Sequence, residues 1–273
     1  MNIKYQIGIM QGRLSPRNNN KIQSFPDNHW ENEFILAKRI GLNFIEWIID
    51  FHEFKSNPIF AKEGVLRIKE LIKETGVYVP SICVDYLATF PIIDESKGYE
   101  SKELLYEIIE ISRNLGIKII EIPLVGSASP KNAHANKKYV NFFNSLSETL
   151  TKNCVQIGLE TDLDPISQKN FINKIKNENV GLNYDIGNSV FWGYSLRDEI
   201  KYFGKKIINV HLKDCTVRDY SVPFGQGDSD FNHFFKLLQK INYTGDFVIQ
   251  GARGEDDFNV VFEQFEFIKS ILN

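Results

Sequence analysis

Histidine and cysteine are scarce in this chain of 273 residues, with five His and three Cys. Cys83, Cys154 and Cys215 lie far apart without a CxxC pair, which excludes a zinc ribbon and a disulfide framework. An excess of positive charge is also missing. With 32 Lys+Arg against 35 Asp+Glu the net charge is −3, so there is no basic field of the kind that holds a phosphate backbone, and nucleic acid is not an expected partner. A local anion site stays open. The stretch from Met1 to Met10 lacks the apolar core and small-residue cleavage site of a signal peptide, and no run approaches the ~18 apolar residues of a membrane span. These absences lead to the expectation of a cytoplasmic protein with no membrane partner. No Pro/Gly/Ser-rich linker or composition break divides the chain.

What is present is an alternation of short β-branched runs with longer amphipathic segments, the order that favours parallel strands joined by crossover helices. The expected strands are Tyr5 to Met10, Phe44 to Ile49, Val77 to Val84, Ile117 to Val125, Gln156 to Glu160, Gly181 to Asp185, Ile207 to Leu212 and Phe247 to Gln250. Several are apolar nearly throughout, as strands covered on both faces should be. Between them, Leu104, Ile108, Ile111 and Leu115, and again Val261, Phe265, Ile268 and Leu272, recur at helical spacing. Asp230 is placed to cap the stripe Phe231, Phe234, Phe235, Leu238 and Ile241, as Asp256 or Asp257 is for the last helix. Gly41, Gly76 and Gly116 follow amphipathic stretches where a helix C-cap needs positive φ. An open doubly wound sheet would want a Gly-rich phosphate turn after its first strand, but Gln11-Gly12-Arg13-Leu14-Ser15-Pro16 has no GxGxxG. Eight units of about 34 residues therefore read as an α/β fold, a single (β/α)8 TIM barrel over residues 1–273. The connections Arg13 to Trp30 and Asp85 to Ser101 are longer than a crossover requires. Both fall at the C-terminal mouth, where loops build the site, and the second, with Tyr86, Leu87, Phe90, Ile92 and Ile93, is expected to act as a lid.

Four consecutive strands end in polar residues: Glu160, Asp185, His211 and Gln250. Neighbouring strands are roughly 5 Å apart, so these side chains can converge near the barrel axis. Two carboxylates, an imidazole and an amide oxygen form an oxygen-rich set without thiolate. It suits one Mn²⁺, Mg²⁺ or Co²⁺, with Zn²⁺ also compatible, better than a closed structural zinc. Two positions of an octahedral shell would remain for water or a vicinal hydroxy-carbonyl. Each residue alone has a structural explanation. Asp185 can cap the next helix, and His211 can be a hydrogen-bonded core histidine. Arg13, Lys213, Arg218 and Arg253 fall in C-terminal-side loops, where a guanidinium fork can hold phosphate or carboxylate, although Arg253 could instead pair with Asp214 or Glu255. Gln11 and Asn188 can donate to hydroxyls, and Glu46, Asp85 and Glu121 follow or end other strands.

The strings Glu160-Thr161-Asp162, Asn183 to Asn188, Asn209 to Asp214 and Gly225 to Phe231, with Gly8 to Pro16 and Ile45-Glu46-Trp47, resemble the xylose-isomerase-like barrel superfamily of sugar phosphate isomerases and epimerases. The resemblance runs over essentially the whole chain. It implies a divalent-metal-dependent enzyme acting on a small carbohydrate, with a Glu, an Asp, a His and a second Glu as ligands from strands five to eight. Glu160, Asp185 and His211 match this pattern, and Gln250 departs from it. In the ketose epimerases of the superfamily the two glutamates act as acid and base on opposite faces of the sugar. Gln can ligate through its carbonyl but cannot exchange a proton. It also leaves a site with a dication formally neutral, so that the ion binds less tightly but is a stronger Lewis acid. Glu160 as a single base suffices for aldose–ketose isomerisation. Epimerisation needs a second group, for which Glu121, Glu46 and Asp85 are the candidates. The alternatives are an inosose-dehydratase-like lyase and a catalytically degenerate sugar-binding barrel. The abasic-site endonuclease branch needs more histidines than five and a basic face. Related barrels often associate through their helices, so a homo-oligomer is an open expectation.

Overall fold

A computed structural model describes residues 5–17, 23–52, 54–218 and 221–272. Eight parallel strands run through it: β1 (Ile7–Met10), β2 (Phe44–Ile48), β3 (Ser81–Cys83), β4 (Ile119–Leu124), β5 (Gln156–Thr161), β6 (Val180–Asp185), β7 (Ile207–Leu212) and β8 (Phe247–Ile249). They pair in chain order, and β1 meets β8 with Ile7 opposite Phe247, so the sheet closes into a barrel. Helices from each crossover cover its outside, which is the (β/α)8 architecture. No helix among the described residues is long and apolar enough to cross a membrane. A two-stranded antiparallel ribbon, Asp214–Cys215 with Ser221–Val222, extends from the end of β7.

Local sequence accounts for the element ends. Gly41 and Gly116 terminate the helices Trp30–Ile40 and Gly98–Leu115 with φ of 98° and 77°, conformations that a Cβ penalises. Asp230 accepts the His233 N–H at 2.9 Å and caps the helix Phe231–Lys240. The third strand is shorter than its apolar run. Pro80 has no N–H to give a ladder, and before it Tyr78 joins Phe44 only through an isolated bridge.

Apolar burial falls into two layers. The larger fills the space between strands and helices and includes Phe34, Trp47, Phe143, Phe171 and Phe234. The smaller, inside the barrel, is Met10, Phe44, Cys83 and Val248 with Tyr78 against them. Gly8 makes room for it, since a Cβ there would lie 2.2 Å from the Phe44 ring. Met10, Cys83 and Val248 of this cluster stand opposite Glu46, Glu121 and His211. Polar side chains of the interior, Glu46, Glu121 and His211 among them, adjoin it.

The long connections differ from expectation. In the first, residues 18–22 lie outside the described set, and Glu33 gathers the preceding turn by accepting the N–H groups of Gly12 and Leu14 and the Ser15 hydroxyl. The second is no free lid. It contains a short helix, Tyr86–Thr89, and Gly98 already belongs to the next helix. Tyr86, Leu87 and Ile92 are buried, with the Tyr86 ring 4.7 Å from Phe54 and 5.0 Å from Phe90, so its apolar residues serve packing.

Candidate active site

Strand register brings three of the predicted side chains together. His211 on β7 stands opposite Asp185 on β6 and Val248 on β8, while Glu160 on β5 stands opposite Pro123 on β4. One donor atom each from Glu160, Asp185 and His211 lie within 4.8 Å of one another. Asp185 does two things at once. Its Oδ1 accepts the Asn188 N–H at 3.1 Å and caps the helix Ile186–Trp192, and its Oδ2 lies 2.7 Å from Lys213 Nζ. The cap and the site are therefore compatible readings of one carboxylate.

Hydrogen bonds fix the other two. Glu160 accepts the Asn188 side-chain amide on Oε1 at 2.7 Å and that of Asn183 on Oε2 at 2.6 Å. Burial, then the neighbouring Asp185, raises its pKa above the usual carboxylate range. His211 Nε2 lies 2.7 Å from Glu46 Oε1, and Glu46 Oε2 accepts from Asn209 Nδ2 at 3.0 Å. Burial opposes charge on both members of this pair. Even so, His211 holds Glu46 below the usual carboxylate range, and Glu46 lifts the imidazole to about 10. With Nε2 taken by Glu46, Nδ1 is the nitrogen that faces Asn183 Nδ2, at 3.2 Å, and Glu160.

This donor set fits a divalent cation. Two carboxylates and an imidazole converge, and a carboxylate on the far ring nitrogen is the partner that orients and strengthens a ligating histidine. The buried Asn183 Oδ1, beside the same cluster, has no hydrogen-bond partner.

A cavity of about 640 Å³ opens above these residues, lined by Arg13, Gln23, Glu160, Asn188, Lys213, Gln250 and Arg253 among others. Gln250 Nε2 lies 3.1 Å from Gln23 Oε1. Arg253 pairs with Asp257, at 2.8 and 3.2 Å, and donates to the Ser15 carbonyl. Asp214 accepts the N–H groups of Gly225, Gly227 and Ser229, which explains the Gly-rich string that follows β7. Arg13 is buried, and burial with the neighbouring Arg253 lowers its pKa to about 10. Lys213 is held in its charged form by Asp185 and Glu160 against the effect of burial.

Other predicted residues stand off the cavity wall. Gln11 is buried, its Oε1 accepting the Ile48 N–H at 3.1 Å. Glu46 lies beneath the imidazole. Glu121 sits one side-chain layer below Glu160, opposite Gly158, where burial and then Glu160 push its pKa well above the carboxylate range. Asp85 starts the helix Tyr86–Thr89, and Arg218 is exposed with φ of 60°. Sequence reasoning missed Asn183, Asn209 and Gln23. The first two were findable. They precede Asp185 and His211 by two residues, and a strand turns every second side chain to the same face.

A carboxylate–imidazole cluster at the mouth of a closed barrel defines a class that the sequence comparisons make specific. The sequence profile of the xylose isomerase-like TIM barrel family matches residues 34–271, and the chain belongs to that family. Two curated relatives are similar over most of its length. "Putative L-ribulose-5-phosphate 3-epimerase SgbU" of Haemophilus influenzae is 30% identical, covering 90% of this chain and 88% of its own. "L-ribulose-5-phosphate 3-epimerase UlaE" of Shigella flexneri is 27% identical, covering 88% and 89%. A xylose isomerase-like TIM barrel protein from Mycobacterium smegmatis, solved in complex with magnesium, shares the fold with a TM-score of 0.77 at 17% identity, over 98% of this chain and 96% of that one. Such relatives make this chain an isomerase-class enzyme.

Proposed function

We propose that this barrel, one domain over residues 1–273, is a divalent-metal-dependent epimerase or isomerase of a small sugar phosphate. The observation that carries the reading is the convergence of Glu160, Asp185 and His211 donor atoms within 4.8 Å beneath a cavity bordered by Arg13 and Lys213. The relatives named for L-ribulose-5-phosphate epimerisation support the substrate class. Glu160, Asp185 and His211 would hold the ion, with the Gln250 carbonyl as fourth ligand. A divalent cation there supplies Lewis acidity that polarises a carbonyl and acidifies the adjacent C–H.

The chain's own residues supply the rest. Of the carboxylates on the cavity wall, Asp162 is tied up by Lys131, Ser129 and the Gly126 N–H. Glu160 is the base. Its raised pKa brings its proton affinity closer to that of a working base near neutrality, and the Asn183 and Asn188 amides hold its orientation. Lys213 donates to Asn188 Oδ1 at 2.8 Å and places an ammonium where negative charge develops on the substrate. Arg13 gives the cavity a cationic side for the phosphate. Gln250 cannot return a proton to the opposite face of the sugar. That favours a second reading, aldose–ketose isomerisation, in which Glu160 alone takes and returns the proton.

The test uses protein stripped with chelator, reloaded with Mn²⁺, Mg²⁺ or Co²⁺, and given L-ribulose 5-phosphate and other pentulose phosphates in D₂O. Deuterium at C3 with the C3 epimer as product supports epimerisation, and an aldose product supports isomerisation. An enone absorbance would mark a dehydratase. Absence of exchange with every metal and sugar overturns the reading.

A further inference from the structure

We propose that Gln23 is a positioning residue that turns the Gln250 amide so that its carbonyl oxygen, and not its NH₂, faces the cavity. The inference rests on the metal-dependent reading above. A primary amide has two ends of nearly equal shape and opposite hydrogen-bonding sense, so its neighbours decide which end points where. A carboxylate needs no such device, because both of its oxygens accept. At this position, where the family resemblance implies glutamate, glutamine creates a requirement that glutamate would not have.

The hydrogen bonds around Gln23 supply the answer. Arg13 Nη2 donates to Gln23 Oε1 at 3.4 Å, and a guanidinium can only donate, so the Gln23 carbonyl is turned toward it. The other end of Gln23 lies 3.8 Å from Cys83 Sγ, a weak acceptor. Gln23 therefore offers Gln250 an acceptor, and Gln250 answers with Nε2 at 3.1 Å. The Gln250 backbone is held in turn by its N–H on the Leu212 carbonyl at 2.9 Å. The reverse orientation would set two carbonyl oxygens against each other and present an NH₂ to a cation. Arg13, Gln23 and Gln250 thus form a chain of donors and acceptors with one consistent sense. It spans the junction between the turn after β1 and the end of β8.

The test is a double-mutant cycle read by Mn²⁺ affinity, using electron paramagnetic resonance or calorimetry on the full chain. Gln23→Leu removes the acceptor and is expected to weaken Mn²⁺ binding about tenfold, the lower end for groups that orient a metal ligand. Gln23→Glu keeps the acceptor and is expected to bind at least as tightly as wild type. In a Gln250→Glu background, where nothing needs orienting, Gln23→Leu is expected to change the affinity less than about twofold. Equal weakening in both backgrounds, or none in wild type, overturns the assignment. Should Gln23→Leu not fold, Gln23→Met takes its place in the cycle. A wild-type chain that binds no Mn²⁺ overturns the metal reading and this inference with it. A chain that binds Mn²⁺ indifferently to residue 23 overturns this inference alone.

Discussion

Glu33, outside the barrel, and Glu121, inside it, are both fully buried carboxylates whose pKa is raised by burial, yet their surroundings differ. Glu33 is met by two backbone N–H groups and a hydroxyl, at 2.9 to 3.0 Å. Glu199, also between strands and helices, accepts the Tyr184 hydroxyl at 2.9 Å. Inside the barrel, Glu121 Oε2 and Asn183 Oδ1 are buried without a hydrogen-bond partner. An unmatched buried polar atom costs roughly 1–3 kcal/mol. In the outer layer the Glu33 and Glu199 carboxylates are met by donors and hold turns and helices in place, although the buried Ser112 and Tyr139 hydroxyls there have no partner. In the barrel interior Glu121 and Asn183 each keep an unmatched oxygen next to the cluster proposed to take a ligand. The comparison sets carboxylates that build the fold beside a carboxylate and an amide that lie at the proposed ligand site.

Four experiments sharpen that contrast, in descending order of expected effect. Glu160→Gln should lower turnover on the order of 10³- to 10⁴-fold while leaving the melting temperature nearly unchanged, as measured by deuterium exchange and thermal melts. Phe234→Ala, in the outer layer, should cost about 3 to 4 kcal/mol of unfolding free energy in urea titrations, with the Mn²⁺ affinity of the folded protein preserved. Glu199 tests pH. Burial lifts its pKa from 4.5 to about 7, so between those values the native chain keeps a proton that the unfolded chain has released. Its contribution to stability is therefore greatest below pH 4.5 and falls by about 3 kcal/mol as pH rises to about 7. Glu199→Gln should flatten this part of the stability–pH curve. Glu46→Gln should weaken Mn²⁺ binding about 10-fold or more by removing the carboxylate behind His211, with a smaller effect on stability. If Glu160→Gln instead melts the protein, or Phe234→Ala abolishes metal binding without unfolding it, the division between the layers fails.

The strands and caps were legible because they depend on short-range pattern. Apolar runs, the αL glycines at 41 and 116 and the Asp230 cap each leave a local mark. The residues at the strand ends were legible for the same reason, since Glu160, Asp185 and His211 interrupt apolar runs. Less visible was anything set by depth or by distant packing. Glu46 and Glu121 interrupt apolar runs as Glu160 does, but they sit in mid-strand, within Phe44–Ile48 and Ile119–Leu124, which places them below the cavity. Gln23 lies in a loop without periodicity, and its partner Gln250 is 227 positions away. The apolar residues of the connection after β3 signal burial without saying where. Of these, Tyr86 packs against Phe54 and Phe90, and Leu87 and Ile92 are buried.

The pairing of β1 with β8 has a consequence for how the protein is made. Gln6 and Phe247 share a backbone hydrogen bond, and Arg253 reaches the carbonyl of Ser15 across that seam. The cationic side of the cavity draws Arg13 and Gln23 from the connection after β1 and Gln250 and Arg253 from the segment after β8. During synthesis that corner cannot form until β8 and the residues just after it have left the ribosome. A prematurely stopped product could assemble many of the βα units and still have an open mouth. The proposed phosphate recognition would then depend on β8 having been made and paired with β1.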